Sequence, residues 1–541
     1  MNIKHKIMVP LFGALALMGT TTSCSDFLDE HMKSTAGPDN VYTSTTGFET
    51  AATGLYTWAR DEFNTWGGDA FAHGQACPYE ALQVATDIVF VGAQQDGSLT
   101  PFEKLSYTPS TTFVSSYWKY AFGLIASSNE MLEYAEKNKN WDKATDAALY
   151  QATARFFRAY AYRYLVYLYG DVPYIDKIER QYRTDFTRTP KAEVMQHMID
   201  DLKFAAENLP EDPDAVAPGK LTKWAALHLL SEVYLMHGDY AEAKKAADDV
   251  ITSGYFELMQ TRFGEQAKQK GDAFHDLFCE NNQNRTSGNK ESIWVMQFEY
   301  NTDGGGGDYS DWTRRAWSPK YYNVTGFVLA DSLGGRGLAQ IQPLTWWIEG
   351  SDGNGIFEKQ DMRNSEYNIK RHWYYNDPAH PELLGKEATI TDATRKNSQL
   401  YPVITKFFYG KEGDLTYTGN SKDRMRFRLA ETYLLKAEAC IRLGDQQGAA
   451  DAINAVRRRA GATEVAAANV TMDYLLDERI RELVGEEIRR FTLQRTGKQV
   501  ERVAKYNDKC KDFDDHNVIW PIPQNVIDSN TGAEFPQNPN Y

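Results

Sequence analysis

Cysteine is scarce in this chain: five in 541 residues, at Cys24, Cys77, Cys279, Cys440 and Cys510, with no CxxC pair among them. That excludes a disulfide-stapled scaffold and the usual structural zinc modules. Long apolar runs are lacking too. The one near the start, Ile7 to Met18, is too short to cross about 30 Å of hydrocarbon as a helix, and nothing later approaches a span. Basic charge is in deficit, with 59 Lys and Arg against 74 Asp and Glu for a net −15. A general nucleic-acid binder needs the opposite balance. Catalytic signatures are also absent: no HExxH, no GxSxG, no Walker loop, no GxGxxG after a strand. "SDGNGIFEKQDMR" opens like a calcium loop at Asp352 and Asn354, but Arg363 stands where the closing glutamate belongs. No metal and no cofactor is expected.

What the chain does have is aromatic surface material. It carries 32 Tyr and 12 Trp, and 13% of its residues are aromatic. Flat apolar rings with polar tips suit a binding surface as well as a core. The start is informative in another way. Lys4 and Lys6 precede the short apolar run, and "GTTTS" then leads to Cys24. Residues 1–23 read as a signal peptide, to be set aside from the fold. A cysteine at that point resembles the acylation site of a bacterial lipoprotein, although Thr21 stands where such signals usually carry Leu. Two or more acyl chains on Cys24 would give stable anchoring. The following acidic stretch, with Asp26, Asp29 and Glu30, reads as a tether over 24–45. Cys440 lies in an apolar helical stretch and is expected to be buried; whether Cys77 and Cys279 pair is open.

Apolar spacing predicts a helix through Phe48, Ala52, Leu55 and Ala59, then helices over about 112–137, 143–169 and 191–209. Two later segments repeat each other. "LLSEVYLMHGDYAEAKKAADDVITSG" aligns with "LLKAEACIRLGDQQGAADAINAVRRRAG" when Gly238 is laid on Gly444. Ser231 then meets Ala437, Asp239 meets Asp445, and Ala243 meets Ala449. Small residues on either side of a Gly-Asp turn mark the closest approach of two antiparallel helices, as in tetratricopeptide hairpins. Gly170-Asp171 is expected to be the turn of a degenerate third copy. From Phe256 to Lys422 the helical period fades, and Gly, Asn, Asp and Trp accumulate. "ESIWVMQFEY" predicts one short strand there, and "GGGG" at Gly304 to Gly307 a mobile loop. Glu486 and Glu487, in "RIRELVGEEIRRF", read as part of one charged helix holding its own ion pairs.

The ordered set of motifs resembles the SusD/RagB family of outer-membrane nutrient-binding lipoproteins. It comprises the start with Cys24, "GLYTWAR" at Gly54 to Arg60, "RAYAYRYLVYLYGDVP" at Arg158 to Pro173, and "HGDYAEAKKAADDVITSGYFEL" at His237 to Leu258. "ESIWVMQF", "RLAETYLLKAEACIRLGD", "AINAVRRRAG", "DERIRELVGEEIRRFTLQRTGK" and the closing "PIPQNVIDSN…QNPNY" follow in order. The chain departs from the family where Arg490, Phe491 and Thr492 replace a usual Trp-x-Asp, and where Asn540-Tyr541 replaces a final Gly-Tyr. The resemblance implies a mainly α fold: about four tetratricopeptide-like helix pairs forming a superhelical scaffold, with a large irregular region packed on it. The expected division is 46–255 helical, 256–422 irregular and aromatic-rich, and 423–541 a last repeat with a clasping tail. The resemblance further implies non-catalytic capture of an oligo- or polysaccharide at the outer face of the outer membrane. Delivery would be to a SusC-like TonB-dependent β-barrel transporter. A glycan-degrading enzyme and a peptide-binding family member are the alternatives.

The resemblance transfers no ligand residues, so chemistry must choose them. Sugars stack their C–H faces on aromatic rings and offer hydroxyls to polar neighbours. Three clusters qualify: Trp66 with Asp69; Trp312, Arg314, Trp317 and Tyr321; and Trp346 with Trp347. Trp373 with Tyr374 is a fourth. Trp312 or Trp317 is the expected stacking platform. In the tail, Pro521 and Pro523 fix extended backbone around Ile522, so Trp520 to Tyr541 is expected to pack down on the scaffold.

Overall fold

The computed structural model describes residues 37–63, 78–92, 97–300, 302, 304–305, 311–411, 413–417 and 419–541. The signal segment, Cys24, the tether, Cys77, Trp66 and Asp69 lie outside the described residues, as do Gly306 and Gly307.

Eight helices form a continuous stack: α1 (Thr45–Arg60), α2 (Thr112–Lys137), α3 (Asp146–Tyr169), α4 (Lys191–Asn208), α5 (Lys223–His237), α6 (Tyr240–Ile251), α7 (Leu429–Leu443) and α8 (Gln446–Arg459). Each packs against the next. The step from α6 to α7 passes over residues 252–428, so the stack is continuous in space where the chain is not. Phe48, Ala52, Leu55 and Ala59 are the buried face of α1, as their spacing predicts. α3 is buried on nearly all sides, which requires polar groups to find partners inside the stack. Tyr160 donates its hydroxyl to Glu62 at 2.8 Å, and Tyr169 to the Val114 carbonyl at 2.5 Å. Arg158 grips both oxygens of Asp201 on α4 at 2.7 Å, and Arg163 meets Glu232 on α5 at 2.9 Å.

The repeat holds in detail. Gly238 (φ 100°) and Gly444 (φ 76°) both adopt the left-handed conformation that closes a helix without a Cβ penalty. The Asp239 and Asp445 amides bond back to the carbonyls of Tyr234 and Cys440, each at 2.9 Å and in the same register. Ser231 donates to the Ala243 carbonyl across the hairpin at 2.9 Å; Ala437 and Ala449 are fully buried at the equivalent contact. The Gly170-Asp171 copy is not a hairpin turn. Gly170 does end α3, but the chain runs on to Lys191, whose amide bonds the Asp171 carboxylate at 2.7 Å.

Residues 252–428, with 78–92 from the N-terminal half, make the irregular region. Among the described residues its strands come as two-stranded antiparallel pairs: β1 (Val89–Val91) with β3 (Ile341–Pro343), and β2 (Ser292–Met296) with β8 (Arg424–Arg428). β4 (Ile369–Lys370) pairs with β7 (Val403–Ile404), and β5 (Trp373–Tyr374) with β6 (Glu387–Ala388). The predicted strand in "ESIWVMQFEY" is β2, buried at every position, because β8 and the helices cover both its faces.

Glu486 and Glu487 are not in one continuous helix. α9 (Met472–Leu483) stops, Gly485 turns the chain at φ 79°, and α10 (Arg489–Thr496) begins afresh. A Cβ on Gly485 would stand 2.6 Å from the Phe407 ring. The turn sends Glu486 away from its helix, to Arg428 at 2.6 Å and Lys406 at 2.5 Å. This is one edge of a buried lattice. Arg428 also binds Glu291 (2.7 Å) and Glu482 (2.5 Å), Arg459 binds Glu291 (2.8 Å), and Arg363 binds Asp361 (2.7 Å), Glu478 (2.8 Å) and Glu482 (3.0 Å). It ties β8, α8, α9 and the irregular region together.

The tail packs down. Trp520 is fully buried against Phe102, Tyr107 and Tyr117. Asn538 donates to the Tyr169 carbonyl at 3.0 Å, and the Tyr541 hydroxyl reaches Tyr107 at 2.9 Å. Cys279, Cys440 and Cys510 are buried, and burial pushes the Cys440 thiol up to about 11. No helix of the described residues is long and apolar enough to cross a membrane.

Candidate functional site

Among the described residues, the predicted aromatic clusters are mostly core. Residues 78–92 run through the irregular region almost wholly buried. Trp317 donates its indole N–H to Glu80 at 3.2 Å, Trp346 to the Asp87 carbonyl at 2.7 Å, and Trp347 to the Ile88 carbonyl at 2.7 Å. Tyr321 lies against Trp373 with centroids 5.7 Å apart, and its hydroxyl donates to the Gly335 carbonyl at 2.9 Å. Arg314 is sealed in, bonding the carbonyls of Arg336 (2.9 Å), Tyr417 (2.6 Å) and Gly419 (3.1 Å). Burial, with Arg315 beside it, pulls its guanidinium down to about 10.

The expectation of a platform at Trp312 or Trp317 is therefore corrected. The two residues are 2% and 1% exposed, so neither ring presents a face to solvent. In a segment poor in Leu and Ile, large rings take over the core. Trp346 is partly exposed, but its ring is stacked on Tyr506 at 3.8 Å. Tyr374 alone of these keeps an open ring, 49% exposed.

The Trp312 amide bonds the Phe63 carbonyl at 3.1 Å, and the segment carrying Trp66 and Asp69 starts at the next residue. Around this junction lies an edge that sequence reasoning did not single out. The Arg60 guanidinium holds the carbonyls of Gln297 (2.6 Å) and Gly304 (2.5 Å), fixing the start of the Gly-rich loop. Asp423 accepts from the Phe298 amide at 2.8 Å and from Asn284 at 2.6 Å; burial pushes its carboxyl up to about 6. Beside them, half-buried Tyr300 meets the Tyr417 ring edge-on at 4.7 Å, with the Lys411 ammonium 4.9 Å from its centroid. Its hydroxyl lies 3.5 Å from Asp414. A ring braced from behind, flanked by Asp414, Lys411 and exposed Glu299, has the chemistry of a sugar-stacking surface. The signal was present in the sequence: an aromatic a few residues ahead of a glycine run.

The most perturbed acid nearby does not suit catalysis. Burial pushes Glu80 up to about 8, but it is fully enclosed behind Trp317, out of reach of a substrate.

A helical-repeat stack interrupted by an aromatic, loop-rich insert defines the class. The chain belongs to the SusD family: that family's model matches residues 290–541, and the related model described as "Starch-binding associating with outer membrane" matches residues 26–235. "SusD-like protein P2" of Formosa agariphila is 25% identical, over 97% of this chain and 98% of that protein. Among solved structures, "Surface glycan-binding protein A from Bacteroides thetaiotaomicron" has TM-score 0.72 at 20% identity, over 93% of this chain and all of that one. The same protein "in complex with laminarihexaose" has TM-score 0.70 at 20% identity, over 92% and 100% of the two chains.

Proposed function

We propose that this chain is a non-catalytic surface protein that captures an oligo- or polysaccharide at the Tyr300 edge. The observation carrying this reading is the braced, half-buried Tyr300 ring with Asp414, Lys411 and Glu299 around it. The laminarihexaose bound to a protein of the same fold supports it. Trp66 and Asp69 complete the ligand contacts from the segment that begins after Phe63. Arg314 acts from beneath by holding the Tyr417 carbonyl, while Trp312, Trp317, Tyr321, Trp346 and Trp347 act as core of the region rather than as ligand contacts.

In the same reading, acylated Cys24 anchors the chain to the outer face of the outer membrane. The helical stack then faces a SusC-like TonB-dependent transporter, which receives the glycan. Affinity electrophoresis through gels containing laminarin, starch or other polysaccharides tests the capture. Wild-type protein should be retarded by at least one, and Tyr300→Ala and Trp66→Ala should each lose that retardation. Unretarded wild type in every gel overturns the reading, and new reducing ends released from any polymer would make the protein an enzyme instead. Co-purification of a β-barrel transporter from solubilised outer membranes tests the partner.

A further inference from the structure

A second opening lies elsewhere in the irregular region. It is a cleft of about 680 Å³ between the β5/β6 pair, the turn after Ile348 and the segment carrying Arg395. That volume falls within the roughly 300–1,000 Å³ typical of small-ligand sites. None of its lining residues belongs to the Tyr300 edge.

The strand pair sets one wall. Trp373 and Ala388 point inward, 0% and 3% exposed. By the two-residue period of a strand, His372, Tyr374, Glu387 and Thr389 therefore share the outer face. Tyr374 stands directly opposite Glu387 in the register, and His372 meets Glu387 at 2.6 Å. The opposite wall is a second charge pair, Arg395 holding both oxygens of Glu349 at 3.0 and 2.5 Å. Between the walls, Ile390 and Pro402 supply an apolar floor.

Three carboxylates line the cleft, Glu349, Asp352 and Glu387, against the two guanidinium groups of Arg371 and Arg395. Arg395 is paired with Glu349, and Arg371 is taken up by the Ile348 carbonyl at 2.8 Å and the Asn364 carbonyl at 3.3 Å. A cleft with one carboxylate in excess and both guanidinium groups already engaged does not select an anion. Its carboxylates and imidazole instead offer hydrogen-bond partners for hydroxyl groups above an apolar floor, and the exposed Tyr374 ring stands at its rim, opposite Glu387 on the strand pair. We propose that this cleft is a carbohydrate subsite for an uncharged pyranose, separate from the Tyr300 edge. It rests on the reading of the protein as a glycan binder. Two separated contacts on one polymer raise its effective concentration at each, so the subsite would hold a chain whose other segment lies at Tyr300.

The test uses the full chain with isotope-labelled histidine, following the His372 ring signal, assigned through His372→Gln. The probes are the methyl glycosides of glucose, galactose, mannose and xylose, with laminarihexaose and maltoheptaose, raised through the millimolar range. At least one should shift the His372 signal saturably. Tyr374→Ala should weaken that shift about tenfold, the order of one lost aromatic contact, with the melting temperature kept. With the methyl glycosides, which are too short to reach both places, Tyr300→Ala should leave it intact. No saturable shift with any probe overturns the subsite, and a methyl-glycoside shift abolished by Tyr300→Ala overturns its independence. A silent His372 in protein still retarded by polysaccharide removes the subsite alone; silence together with absent retardation removes the capture reading as well.

Discussion

In the helical stack, neighbours touch through small residues and each backbone satisfies itself: Ser231 against Ala243, Ala437 beside Ala449, a left-handed glycine closing α5 and α7. Between Ile251 and Leu429 the opposite holds. Strands are two to five residues long, so long side chains meet the carbonyls that ladders would otherwise have served. Arg314 takes three, Lys422 takes those of Phe278 (2.7 Å) and Lys406 (2.8 Å), and Trp347 and Trp373 take one each. Backbone groups must be satisfied either way. The difference teaches that a loop-rich region can be ordered without regular structure if its cationic and indole donors are buried and committed. Its surface loops are then freed from any structural duty.

The comparison breaks most sharply at Arg428. Replacing it with Met leaves Glu291, Glu482 and Glu486 buried without their shared cation, and the expected loss is about 3–5 kcal/mol. Thermal unfolding reads it, and an unchanged melting temperature would mean that the lattice does not join the two regions. Acid should act on the same lattice. Burial alone would raise Glu478, but Arg363, Arg481 and Arg457 bring it down to about 2 from an ordinary 4.5. A depressed carboxylate stabilises the fold above its unfolded pKa. That contribution, on the order of 3 kcal/mol, should be lost as pH falls from 4.5 through 2. A melting temperature that is flat across that window would contradict the ion pairing.

Gly485→Ala combines left-handed strain with a ring clash and should lose roughly 1–3 kcal/mol, read by denaturant titration. Ser231→Ala removes one hairpin bond in the stack and should lose about 1 kcal/mol. If it costs as much as Arg428→Met, the stack is not the self-sufficient part. Smallest in stability is Tyr300→Ala, within about 0.5 kcal/mol, yet it should abolish retardation by polysaccharide.

The stack was legible because its signals are local: the spacing in α1, and the glycine and small-residue offsets shared by the two hairpins. The break at Gly485 was hidden because its cause, the Phe407 ring, is remote in sequence. β8 escaped notice for a similar reason, since a strand of alternating arginines looks solvent-facing until its carboxylate partners are placed around it. At the site, composition marked aromatic clusters that fold mostly as core and could not say which ring faces outward. Trp312 and Tyr300 have equal claims in sequence, and only packing separates them.

The direct seating of α6 on α7 has a consequence for how the chain is made. Synthesis runs from the N-terminus, and domains fold as their parts emerge. The face of α6 that meets α7 must wait uncovered until residues 252–428 have been added. Closing the stack therefore depends on a contact of high sequence separation, the kind that slows folding. The scaffold that later carries the insert is also the last part to be completed.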